Sequence, residues 1–126
     1  MRLAFFTEGG YQGKVPRNHN NMRTDVALVC ALGANHHPIT SLQSIPSNSY
    51  DFGIVIIPKN KEMLFNYPLI DELKRICKKI ATMQESTYWY WQDGEVSDQV
   101  WYYNTLSEMD VILCHNELDK KYNDEI

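Results

Sequence analysis

Four consecutive β-branched residues, Ile54-Val55-Ile56-Ile57, closed by Pro58, constrain the fold of this chain more than any other feature. An unbroken apolar run of this length has no polar face to turn to water. It suits a strand covered on both sides, as in a parallel sheet with helices above and below. The flanking segments agree. Leu3 to Phe6 reads as a first strand, and Met22 to Leu32 as a helix with Met22, Val26, Val29, Cys30 and Leu32 on one face and Gly33 to stop it. Pro38 to Leu42 is a weak second strand, and the β-branched run is the third.

Asn66 and Pro68 suit the opening of a helix that turns Leu69, Ile70, Leu73, Ile76 and Cys77 to the sheet. Ile80 to Gln84 is the fourth strand, Ser97 to Leu106 a helix, and Asp110 to Cys114 the fifth strand. Asn116, with Asp119 three residues on, reads as the cap of a last helix. The expectation is an α/β domain: a parallel sheet of about five strands with helices on both faces. In the mononucleotide-binding order 3-2-1-4-5, strand one is central and a crevice opens between the carboxyl ends of strands one and four. The loops Thr7–Asn21 and Glu85–Val96 would then wall one cleft, with His115 beside it.

At 126 residues the chain is a single domain, or one half of a two-domain protein. A net charge of −4 argues against a general nucleic-acid coat, though a locally basic loop can still hold a phosphate. The apolar runs are too short to cross a membrane, and Glu8 with two glycines interrupts any signal-peptide plan. Cys30, Cys77 and Cys114 lack CxxC spacing and read as small core residues of a reducing cytoplasm, without disulfides or zinc.

The strand Leu3 to Phe6 runs directly into Thr7-Glu8-Gly9-Gly10. A Walker phosphate loop is excluded, because Gly9 leaves three residues before Gly13-Lys14 where four are needed, and Val15 stands in the place of the Ser or Thr. The dinucleotide pattern fails too, since Glu8 occupies its first glycine position. What remains is the backbone of Glu8, Gly9 and Gly10 at a strand end: a ligand contact, or simply a tight turn. Lys14, Arg17, His19 and Arg23 follow, as a phosphate or diphosphate contact or as a solvated basic loop. Arg23 sits in the first helical turn, where the dipole disfavours a cation unless an anion is bound.

A second unusual stretch is Gln84 to Asp93, with four consecutive aromatics, Tyr88-Trp89-Tyr90-Trp91, between Glu85 and Asp93. Rings such as Trp89 and Trp91 stack on sugars and bases, and Glu85 or Asp93 could serve as a general base. The plainer reading is an aromatic cover over the sheet edge with Asp93-Gly94 as a turn. Trp101-Tyr102-Tyr103 reads as core packing. His36-His37 precedes Pro38 in a surface loop without an acidic neighbour, which argues against a metal site. His115, just past a strand expected to be buried, is a candidate ligand contact.

The segment Thr7-Glu8-Gly9-Gly10-Tyr11-x-Gly13-Lys14-Val15-Pro16-Arg17-Asn18-His19, with Asn21-Met22-Arg23-Thr24-Asp25, resembles the opening of bacteriophage-type glycosyltransferases of the GT-B class. So do Gln84-Glu85, Tyr88 to Asp93, Trp101 to Asn104, and Cys114-His115-Asn116-Glu117-x-Asp119. The resemblance implies half of a GT-B fold, a Rossmann-like N-terminal domain on the acceptor side. It implies transfer of a sugar from a nucleotide-sugar donor to an acceptor hydroxyl, with no cofactor and no fixed metal, in the cytoplasm of an infected cell. Glu85 or Asp93 would match the catalytic base. The donor side would come from a C-terminal domain or a second copy of the chain, and nucleic acid would enter only as an acceptor. The rival reading is a stand-alone, non-catalytic domain that binds a nucleotide or phosphate ligand in the same crevice.

Overall fold

The computed structural model describes residues 1–7, 13–14, 24–56, 69–83 and 96–113. Among these residues, six strands form one sheet: β1 (Leu3–Thr7), β2 (Gly13–Lys14), β3 (Asn35–Pro38), β4 (Tyr50–Val55), β5 (Cys77–Met83) and β6 (Val111–Leu113). Their spatial order is β2-β3-β1-β4-β5-β6. All neighbours are parallel except the β2–β3 pair at the margin, where Gly13 faces His36 and Lys14 faces Asn35. The connecting helices are α1 (Thr24–Leu32), a 3-10 helix (Ile39–Ser44), α2 (Leu69–Ile76) and α3 (Val96–Ser107).

The expected α/β class with a five-stranded parallel sheet is therefore present, but the expected order is not. Counting the five parallel strands in chain order gives 2-1-3-4-5, with β1 hydrogen-bonded to β3 on one side and β4 on the other. The reversal falls between β1 and β4, not between β1 and β5. Local pattern decides where strands lie; which strand sits beside which is settled by the packing of both sheet faces, and the chain carries no short-range record of it.

Side chains of adjacent strand residues point to opposite faces, and the core divides accordingly. On one face Phe5, Ile54 and Ala81 pack with Val29 of α1 and with Ala34. On the other, Ala4, Phe6, Val55 and Ile80 pack with Ile39 and Leu42 of the 3-10 helix, Leu69, Leu73 and Ile76 of α2, and Leu106 of α3. Trp101 of α3 joins this second cluster as the sequence suggests; the side chains of Tyr102 and Tyr103 lie outside the described set.

Element boundaries moved where polar residues found partners. The second strand is Asn35–Pro38; of the expected span Pro38 to Leu42, Ile39 to Leu42 lies in the 3-10 helix instead. The central strand begins at Tyr50 and ends at Val55, and β5 begins at Cys77, the residue directly after α2. Helix α1 buries Val29, but Leu32 is exposed rather than part of the apolar face. Gly33 does stop α1: at φ 65° it closes a left-handed cap, its N–H donating to Cys30 O at 3.3 Å and that of Ala34 to Val29 O at 3.1 Å. The last strand, β6, is a margin strand with Val111 and Leu113 exposed, not the buried strand expected.

At the amino edge of the sheet the strand starts are tied by charge. Arg2 donates its backbone N–H to Asp51 Oδ2 at 2.8 Å, and its guanidinium and the Lys78 ammonium lie 3.5 and 3.6 Å from Oδ1. Those contacts, the backbone N–H of Arg2 first, hold the Asp51 carboxyl below its ordinary range. Asp110 exchanges two hydrogen bonds with Ile80, fixing the start of β6. Among the described residues, no helix is long and apolar enough to cross a membrane.

Candidate functional site

In a doubly wound sheet a ligand binds outside the carboxyl ends of the strands, where the order reverses. Here that edge is formed by Pro38, Thr7, Val55, Met83 and Leu113, with the reversal between Thr7 and Val55. β1 and β4 stay joined to the rim, where Ile56 N–H donates to Phe6 O at 2.9 Å. Beside them, Thr82 donates its hydroxyl to Val55 O at 2.9 Å, so β4 and β5 are joined there too. None of the five end residues is charged.

Thr7, the last residue of β1, is buried, and its Oγ1 lies 2.7 Å from His36 Nε2. The register explains the pair: Phe5 is level with His36, so Thr7, two residues on, shares that face. On the opposite face His37 Nε2 lies 2.6 Å from the Tyr50 hydroxyl, which also accepts a bond from Asn35 Nδ2 at 2.8 Å. Phe6 stacks on His37, with ring centroids 5.9 Å apart, and meets Tyr50 edge-on at 6.3 Å. Burial, and then the neighbouring charge of His36, lower the His37 pKa. His36 and His37 thus belong to a strand, not the surface loop expected. Pointing to opposite faces, the two rings cannot ligate one ion.

Of the candidate catalytic and ligand-binding residues named from the sequence, only Lys14 falls within the described chain. It stands in β2, its backbone opposite Asn35. Glu8, Gly9, Gly10, Arg17, His19, Arg23, Glu85, Trp89, Asp93, Trp91 and His115 lie outside the described residues, as do the helix openings at Asn66 and Asn116 and the third cysteine, Cys114. Chain order alone puts Glu8 directly after Thr7, Glu85 two residues after Met83, and His115 two residues after Leu113. The sequence reading missed the Thr7–His36 and Asn35–Tyr50–His37 groups. Both depend on strand register, which no motif announces.

The fold defines the class: an α/β domain with helices packed on both faces of the sheet and the strand order reversing between β1 and β4. No protein family, curated protein or solved structure matches the chain.

Proposed function

We propose that the chain is a binding domain for a nucleotide or other phosphate-bearing ligand, held at the carboxyl edge of the sheet. The observation that carries this reading is the reversal of strand order between β1 and β4, with Glu8-Gly9-Gly10 following directly on Thr7. Backbone amides leaving such a strand end suit an anion, and Arg17, His19 and Arg23 supply positive charge within the same connection, as Lys14 does from β2. Isothermal titration with nucleotides and nucleotide-sugars tests it. Arg17→Ala and Arg23→Ala should each weaken binding by roughly tenfold, the size of one charge-assisted hydrogen bond. Absence of heat with every such ligand would rule the reading out.

A second reading, transfer of a sugar from a nucleotide-sugar to an acceptor hydroxyl, is favoured by one observation. β5 ends at Met83 on the same edge as Thr7, so the segment with Glu85, Trp89, Trp91 and Asp93 starts from the same rim. One of the two carboxylates would accept the acceptor's proton, the rings would stack on sugar or acceptor, and the basic groups would steady the leaving diphosphate. The transferase ranks second because it needs, besides ligand binding, a general base, and both candidates for it lie outside the described residues. Glu85→Ala and Asp93→Ala, assayed with the donor domain present, separate the two readings: turnover lost in one variant supports transfer, and turnover unchanged in both removes these residues as the base.

A further inference from the structure

The two strands that flank the order reversal are each tied to β3 by a histidine: Thr7 of β1 through His36, and Tyr50 of β4 through His37. The second tie is sensitive to protons for a geometric reason. Tyr50 oxygen already accepts from Asn35, and its own hydroxyl proton is then free to go to His37 Nε2. With the ring proton on Nε2 instead, that N–H donates to the second lone pair of the Tyr50 oxygen, so the neutral ring keeps the bond in either tautomer. Nδ1 is itself buried and has no hydrogen-bond partner among the described residues. In either tautomer a second ring proton makes a cation whose Nδ1–H is buried with no acceptor among the described residues.

Nothing described nearby compensates such a cation. From β1 the ring meets Phe6, and from β4 it meets Tyr50. The 3-10 helix that follows β3, Ile39–Ser44, has no ionisable side chain. On α2, Glu72 and Arg75 are engaged with each other, and Arg75 also with the carbonyls of Leu42 and Ile45. On β3 itself the neighbour is His36, whose charge opposes that of His37.

We infer that the Asn35–Tyr50–His37 group is an acid-released tie, which frees the β2–β3 margin from β1 and β4 while β4, β5 and α2 stay folded. The inference does not depend on what the crevice binds. Among the described residues β3 has four residues and its outer neighbour β2 two, so few ladder bonds hold this margin.

Amide hydrogen exchange of the full chain at about pH 7.5 and about pH 5.5, corrected for intrinsic exchange, tests it across the range in which histidine titrates. Protection at Asn35, His36 and His37 should fall on acidification by a larger factor than at Ile80, Ala81 and Thr82. His37→Gln, which keeps an acceptor level with Nε2 and cannot take the proton, should abolish that excess loss. Equal loss in β3 and β5, or an excess that persists in His37→Gln, overturns the proposal. If His37→Gln does not fold, the ring C–H resonances of the native protein decide. His37 titrating below the ordinary histidine value supports the tie, and titration at or above that value overturns it.

Discussion

Gly53 lies so close to Cys77 that a Cβ on residue 53 would sit 2.5 Å from Cys77 Sγ and 2.9 Å from Phe6 Cε2. The centre of the sheet has no room for one carbon atom. Gly53→Ala should therefore destabilise the fold by about 1–3 kcal/mol, the usual cost of overpacking a filled core. Denaturant unfolding measures it. Adding Cys77→Ala should recover part of the loss, giving a non-additive double-mutant cycle.

Gly33 is needed for the opposite reason. A Cβ there would meet nothing within 4 Å, but the backbone stands at φ 65°. Gly33→Ala should cost about 1 kcal/mol through the left-handed cap alone. No second substitution in a neighbouring side chain should relieve it, and the same unfolding experiment distinguishes the two glycines.

Arg75 links α2 to the turn after the 3-10 helix. Its guanidinium donates to Leu42 O at 3.0 Å, to Ile45 O at 2.8 Å and to Glu72 Oε2 at 2.7 Å. Arg75→Lys keeps the charge but cannot span three acceptors with a fixed planar fork. A loss of about 2 kcal/mol is expected, the scale of a hydrogen bond from a charged donor with acceptors left unmet.

Stability should depend on pH through His37. Its folded pKa is lowered, by burial first and the His36 charge second, so the unfolded chain binds the proton more readily. The contribution is complete above the unfolded value of 6.5 and is lost as pH falls from there toward the folded value. Urea midpoints of the native protein should drop across that window, and those of His37→Gln should drop less.

The cysteines should differ in reactivity. Burial pushes the Cys77 thiol up to about 12, so thiolate is scarce at neutral pH and alkylation of Cys77 should await unfolding. Cys30, only partly buried in α1, should be modified before Cys77. Peptide mass mapping after timed treatment with iodoacetamide resolves the order.

The sequence made the elements legible wherever apolar periodicity was dense. Leu69, Leu73 and Ile76 face the core as their spacing demands, and α3 and β6 lie within a residue or so of their expected places. Asn35-His36-His37 was not legible as a strand. It is polar throughout, and only its pairing with Thr7 and Tyr50 makes burial affordable. The candidate site was legible as chemistry but not as geometry. Its ionisable residues follow the strand ends, and the structure fixes the ends themselves.

Among the described residues, the sheet's outermost strands, β2 and β6, contain two and three residues. An incoming strand from another molecule would run out of backbone partners after one or two hydrogen bonds at either rim. Stretches as short as these are poor templates for stacking one copy on the next, while the central strands keep the length the core requires.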